Sequence, residues 1–162
     1  MTVDFGRLLR VLKSGDVEFL IVDGVAAAVH GSARTTLDLD ILYRRTRENV
    51  ERLVAALMPL HPYLRGAPPG LPFRFDAETI WRGCNFTLTT EAGPLDCLGE
   101  LTAVGRYEDV AHNAISSEAH GVECRIINLE DLIAAKRAAG RPKDFEAIAE
   151  LEVIREELRR LG

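Results

Sequence analysis

Along the chain the apolar residues switch between two periodicities, and the switches mark the elements. Phe5, Leu8, Leu9 and Leu12 recur at helical spacing behind Asp4, which can cap the first turn, and Gly15-Asp16 breaks that helix. Phe19 to Val22 is a short β-branched run that predicts a buried strand. Asp23-Gly24 turns the chain into an Ala-rich helix from Val25 to His30, which Gly31 ends. Ser32 to Thr36 is polar loop, and Leu37 to Tyr43 predicts a second strand. Thr46 caps a helix with Val50, Leu53, Val54 and Leu57 on its inner face, ending at Pro59. His61 to Pro72 holds four prolines and two glycines and reads as a loop. Ile80, Cys84, Phe86 and Leu88 alternate with Asn85, Thr87 and Thr89, predicting a strand with one wet face. Glu91-Ala92-Gly93-Pro94 is turn-like, and Leu95 to Leu98 is the partner strand. Arg106 to His112 predicts a short helix and Val122 to Ile127 a strand. Asn128 caps a helix to Ala139, stopped by Gly140 and Pro142. Lys143 to Leu161 predicts the last helix, with Phe145, Ile148, Leu151, Ile154 and Leu158 at helical spacing.

The order of elements predicts an α/β (α+β) chain in which helices flank one mixed sheet. Its 162 residues fit a single domain over 1–162, with 128–162 as a C-terminal helical extension packed on the core. No apolar run approaches the ~18 residues of a membrane span, and Met1 to Phe5 lacks the cationic and apolar regions of a secretory signal. Three scattered cysteines argue against a disulfide framework and for a reducing cytoplasm. The net charge of −5 argues against non-specific coating of nucleic acid. Only three of the 20 cationic residues are lysines, a bias that high-GC coding explains more readily than phosphate binding does.

Chemistry concentrates between Ile21 and Ile41. Residues two apart in a strand share a face, so Asp38 and Asp40 aim at one place while Leu39 and Ile41 face the core. Two like charges side by side repel, and a divalent cation offsets this most simply; a solvated pair on an edge strand is the alternative. Upstream, a buried strand ends at Asp23-Gly24 and runs directly into a helix, whose N-terminal N–H groups and dipole suit an anion. Gly24 permits close backbone approach to a phosphate; a C-cap glycine on an Ala-rich packing helix is the alternative, which explains Gly31 but not Asp38 and Asp40. The remaining candidates have plainer readings. His30 suits a local hydrogen bond; His61, His112 and His120 lack zinc spacing; Cys97 points away from Asp96; and Trp81, Phe73 and Phe75 serve as core or as a base-stacking platform. Neither a dinucleotide glycine fingerprint nor a Walker loop is present.

These residues resemble the signature of the nucleotidyltransferase-fold superfamily (the DNA polymerase beta-like fold). The closer likeness is to its small bacterial minimal and abortive-infection types. Val22-Asp23-Gly24-Val25-Ala26, His30-Gly31, Arg34, Thr36 and Asp38-Leu39-Asp40 carry it. Asp96 within Leu95-Asp96-Cys97-Leu98 matches the family's third carboxylate, and Leu129 to Lys136 with Arg137, Arg141, Pro142, Lys143 and Asp144 resembles its C-terminal part. The likeness covers roughly residues 17 to 146. It implies transfer of a nucleoside monophosphate from a nucleoside triphosphate to a hydroxyl of RNA or tRNA, a protein or a small molecule. It also implies Mg²⁺ or Mn²⁺ on Asp38, Asp40 and Asp96, with Asp96 helping to activate the acceptor. Gly24 and the N–H of Val25 would cradle phosphate, with Thr36 nearby and with Arg34 and Lys136 as phosphate counter-charges. Solvated positions are the alternatives for the two cations. A toxin–antitoxin or phage-defence setting, with a cognate antitoxin protein, is the partner the resemblance suggests. In place of the motif's first glycine stands Asp23, a carboxylate that repels a triphosphate unless it turns away or binds metal. That substitution favours the alternative function, a non-catalytic module on the same fold.

Overall fold

The computed structural model describes residues 3–162; Met1 and Thr2, part of the stretch read for a secretory signal, lie outside them. Helix α1 (Phe5–Ser14) starts where the Asp4 carboxylate accepts from the Arg7 N–H at 3.0 Å, and it buries Leu8, Leu9 and Leu12. Strand β1 (Phe19–Val22) runs straight into α2 (Asp23–His30), which Gly31 ends in the left-handed conformation at φ 117°. The helix begins two residues before the expected Val25. Strand β2 (Leu39–Tyr43) is shorter than predicted: Leu37 is exposed and Asp38 lies in the bend that leads into the strand. Thr46 caps α3 (Arg47–Leu57), which buries Val50, Leu53 and Leu57.

The Pro/Gly-rich stretch is not wholly loop, because Tyr63–Leu64 forms a two-residue strand, β3. Ile80 lies in a helix, α4 (Ala77–Arg82), capped by Asp76 through the Thr79 N–H, and not in the strand predicted there. That strand begins later, as β4 (Phe86–Thr90), and turns tightly through Glu91-Ala92 into β5 (Gly93–Leu98). A short helix α5 (Tyr107–Val110) precedes a hairpin of β6 (Ile115–Ala119) and β7 (Val122–Ile126); β6 has no counterpart in the sequence reading. Asn128 caps α6 (Leu129–Ala139), and α7 (Pro142–Leu161) follows. Helix α7 buries Asp144, Ala147, Ile148 and Leu151, while Phe145 and Leu158 of the expected apolar face are exposed.

The seven strands of the described residues form one mixed sheet in the order β3-β4-β5-β2-β1-β7-β6. Strand β1 is antiparallel to β2 and parallel to β7, and β2 is parallel to β5. A single apolar core surrounds the sheet, with Leu20, Ile21, Leu39, Ile41, Leu42 and Leu95 fully buried. A buried polar clamp fixes where β1 and β2 pair. The Asn49 side chain accepts from the Glu18 N–H at 2.7 Å and donates to the carbonyls of Glu18 and Arg44 at 2.9 and 2.8 Å. Because both strand ends bond one amide, a register slip would orphan several buried polar groups, each at about 1–3 kcal/mol. Register matters here because the acidic side chains depend on it.

Candidate active site

Strand pairing brings three carboxylates together. Asp40 on β2 stands directly beside Asp96 on β5, and Val22, the last residue of β1, stands on its other side. Paired residues share a sheet face, so Asp40 and Asp96 point the same way, while Ile41 and Cys97 point the other. Asp38, two residues before Asp40, joins them from the bend. One carboxylate oxygen from each of Asp38, Asp40 and Asp96 lies within 4.8 Å of the others. Asp40 is buried, and its pKa is pushed up to about 9. Burial is the main cause, followed by a hydrogen bond with Asp96 and the charges of Asp23, Asp96 and Asp38. Hard oxygen donors in a converging, mutually repelling set fit Mg²⁺ or Mn²⁺.

Gly24 sits at the start of α2, where no side chain caps the first-turn N–H groups; Val25 follows, buried. A Cβ at Gly24 would stand 2.5 Å from Thr36 Oγ1 and 2.7 Å from Thr36 Cβ. The glycine therefore serves the close approach of the 32–38 loop, whose Thr36 hydroxyl donates to the Asp38 carbonyl at 3.0 Å. Gly24→Ala should accordingly lower the melting temperature by several degrees, for about 1–3 kcal/mol of overpacking. Adding Thr36→Gly should recover most of the loss; thermal denaturation of both variants checks this.

Arg34 is half-exposed and lies 3.5 Å from Glu146, while Ser32 and the Ala33 N–H bond Glu150, so α7 holds the loop in place. Asp23 has left-handed backbone at φ 55°, the conformation that favours glycine. Its carboxylate turns to Lys136: Nζ of this buried lysine donates to Asp23 Oδ1 at 2.6 Å. Behind the pair, Asp144 is fully buried 3.9 Å from Lys136 Nζ and takes a two-pronged contact from Arg141 at 2.7 and 3.1 Å. Burial raises the Asp144 pKa, but the Arg141 bonds outweigh it and hold the carboxyl below its usual range. Lys136 is thus engaged with two carboxylates, and it neutralises the one at the start of α2.

One cation at this site was invisible to sequence reasoning. Arg65, just after β3, places Nη2 2.7 Å from Asp96 Oδ1 and Nη1 3.6 Å from Asp38 Oδ2. It comes from the stretch read as loop, and only the unseen two-residue strand aims it. Other expectations resolve plainly. His30 Nε2 bonds the Ile127 carbonyl at 2.8 Å, Cys97 is buried, Phe75 is core, and Arg47 stacks over the Trp81 ring at 4.4 Å.

Two recesses flank Asp23. One, about 180 Å³, lies between the ends of β1 and β5 and helix α6, lined by Val22, Leu98, Leu101, Ile127 and Leu132 with Asn85 and Lys136 among its polar groups. The other, about 280 Å³, is lined by Gly24, Arg34, Thr36, Asp38, Asp40 and Lys143 among others. No helix among the described residues is long and apolar enough to cross a membrane.

No protein-family model matches the chain, and no curated protein matches its sequence. Solved structures do match. The lincosamide antibiotic adenylyltransferase LnuA, bound to lincomycin, superposes with a TM-score of 0.63 at 14% identity, covering 95% of this chain and 99% of that one. ANT(2")-Ia in complex with adenylyl-2"-tobramycin gives 0.57 at 16% identity, covering 98% and 97%. With three acidic positions meeting beside a glycine-opened helix on a mixed sheet, and with this overall likeness, the chain has the nucleotidyltransferase fold.

Proposed function

We propose that the protein is a divalent-metal-dependent nucleotidyltransferase that moves a nucleoside monophosphate from a nucleoside triphosphate to the hydroxyl of a small organic acceptor. The observation that carries this reading is the convergence of Asp38, Asp40 and Asp96, with a buried member whose pKa is pushed up to about 9 by burial and by its acidic neighbours. A scaffold gains nothing from such a cluster, since like charges held together in a partly buried site cost stability. Asp38, Asp40 and Asp96 would hold Mg²⁺ or Mn²⁺, which would supply charge neutralisation at the transferring phosphorus.

The larger recess suits the polyphosphate, because Arg34 and Lys143 line it together with the open end of α2 at Gly24. At about 180 Å³ the smaller, mostly apolar recess is below the usual 300–1,000 Å³ of a complete ligand site, so it takes one ring of a nucleoside or acceptor. In the transfer, the acceptor oxygen bonds to the α-phosphorus while the bond to pyrophosphate breaks. The hydroxyl proton passes to Asp96. The two structural relatives are described by small-molecule ligands, lincomycin and adenylyl-2"-tobramycin, and this favours a small hydroxylated acceptor over RNA, tRNA or protein.

The test is a panel: each α-labelled triphosphate with Mg²⁺ or Mn²⁺, against aminoglycosides and lincosamides, total tRNA, and lysate protein. Labelled small-molecule product, lost in Asp38→Ala plus Asp40→Ala, is expected. Label on tRNA or protein instead would restore the toxin-like reading with a cognate antitoxin. A second reading has its own observation: a guanidinium already rests on two of the three carboxylates, as suits a non-catalytic module. Calorimetry separates the two, since a module binds no nucleotide in a metal-dependent way.

A further inference from the structure

The Arg65 contact is built differently from an ordinary structural ion pair. Its backbone N–H extends the ladder to the Thr87 carbonyl at 2.9 Å, and Nη2 donates to the Leu88 carbonyl at 2.8 Å as well as to Asp96. Its Nε, by contrast, is buried without a partner. An orphaned buried donor carries a desolvation penalty that a purely structural arginine normally avoids. The guanidinium also draws on carboxylate oxygens of the converging set, those of Asp96 and Asp38. A Mg²⁺ or Mn²⁺ ion bonds oxygens at about 2 Å and needs the lone pairs that now face Arg65. Two cations cannot share them without strong repulsion.

The arginine is also mounted where it can leave. It directly follows a two-residue edge strand and is itself followed by Gly66 and Gly70, both at positive φ with open space around them. Moving this segment breaks a short ladder at the sheet edge together with the half-buried packing of Leu64.

We propose that Arg65 is the resident counter-ion of the acidic cluster and competes with a divalent cation for Asp38 and Asp96. The inference rests on the cluster being a cation site, as in the proposed function. Arg65 is a positioning residue in this account: it bridges the carboxylates of Asp38 and Asp96 until a stronger cation displaces it.

Mn²⁺ binding without nucleotide, followed by electron paramagnetic resonance on the full chain, tests this. Arg65→Gln removes the competitor, and its Mn²⁺ dissociation constant should be about tenfold or more lower than that of the native chain. Arg65→Lys keeps the charge but loses the fork, so a smaller tightening is expected, which also guards against misfolding of the glutamine variant. Arg82→Gln, an exposed arginine on α4, should leave the constant unchanged. As an independent readout, the Arg65 Nε–Hε resonance should shift as Mg²⁺ is added to the native chain. Equal or weaker Mn²⁺ binding in both Arg65 variants, or equal tightening in Arg82→Gln, overturns the competition while leaving the cation site standing. If neither native chain nor variants bind Mn²⁺, the cation site and this inference fall together.

Discussion

Asp40→Asn is expected to reduce nucleotide transfer by about a thousandfold or more while leaving the protein folded and, at alkaline pH, more stable. The loss of activity follows from removing one of three converging oxygens at the place where transferring charge must be offset. The stability effect follows from the proton. In the fold Asp40 keeps its proton up to about pH 9, whereas in the unfolded chain it releases it near 3.8. Between those values the folded state binds more protons, so its stability falls as pH rises from about 4 to about 9. The contribution is complete below the lower value and gone above the upper one. Asparagine reproduces the neutral side chain at every pH and should flatten that slope. Without added metal, Asp40→Asn should therefore melt no lower than the native chain at pH 6 and above it at pH 8–9. Saturating Mn²⁺ should reverse the ranking. At a hundred times its dissociation constant a cation adds about 2.7 kcal/mol, or roughly 5–11 °C for a chain of this length, and only to the native protein. A variant that melts well below the native chain at pH 8 without metal would show that Asp40 is held ionised, with its charge balanced inside the protein.

The acids were legible in the sequence because they break a strand rule. Asp40 sits between Leu39 and Ile41 in an extended run that is buried along its whole length, and both neighbours reach the core. Strand alternation separated Asp96 from Cys97. The family resemblance supplied Asp96 as the third carboxylate, but that β5 lies beside β2 with Asp96 level with Asp40 is seen only in the structure, since periodicity carries no information on which strands pair. The missed elements lack the signals on which pattern reading depends. Strand β6 has one buried residue, Ala119, and thus no apolar face to alternate. Strand β3 is two residues long inside a Pro/Gly-rich run. Helix α4 buries Ile80 alone; only the Asp76 cap announces it, and the alternation of the following strand obscured it. Arg65 was lost with β3. The Lys136–Asp23 bond joins residues 113 positions apart, and a pairing of that span leaves no trace in local spacing.

That bond carries the second large effect. Lys136→Met should lower the melting temperature by about 5–10 °C. Removing one partner of a buried ion pair costs on the order of 3–5 kcal/mol. Here the figure drops to about 2–3 kcal/mol, because the Asp23 side chain is 37% exposed and Arg141 remains within 4.0 Å to screen it. Asp144 is spared, since its two bonds to Arg141 persist. Asp23→Asn should be milder, for asparagine tolerates the left-handed backbone at this position, and the Lys136 ammonium it leaves behind keeps Asp144 at 3.9 Å. Lys136→Met with Asp23→Asn should therefore be more stable than Lys136→Met alone, a coupling of about 1–2 kcal/mol in a thermal double-mutant cycle. Nucleotide affinity should follow the same order. With Lys136 gone, an unbalanced carboxylate faces the open end of α2, and a triphosphate should bind about tenfold more weakly. The asparagine should restore that affinity, even though the lysine is still missing. If affinity stays low in the double variant, Lys136 contacts the phosphates itself and the bond to Asp23 gives way when nucleotide arrives.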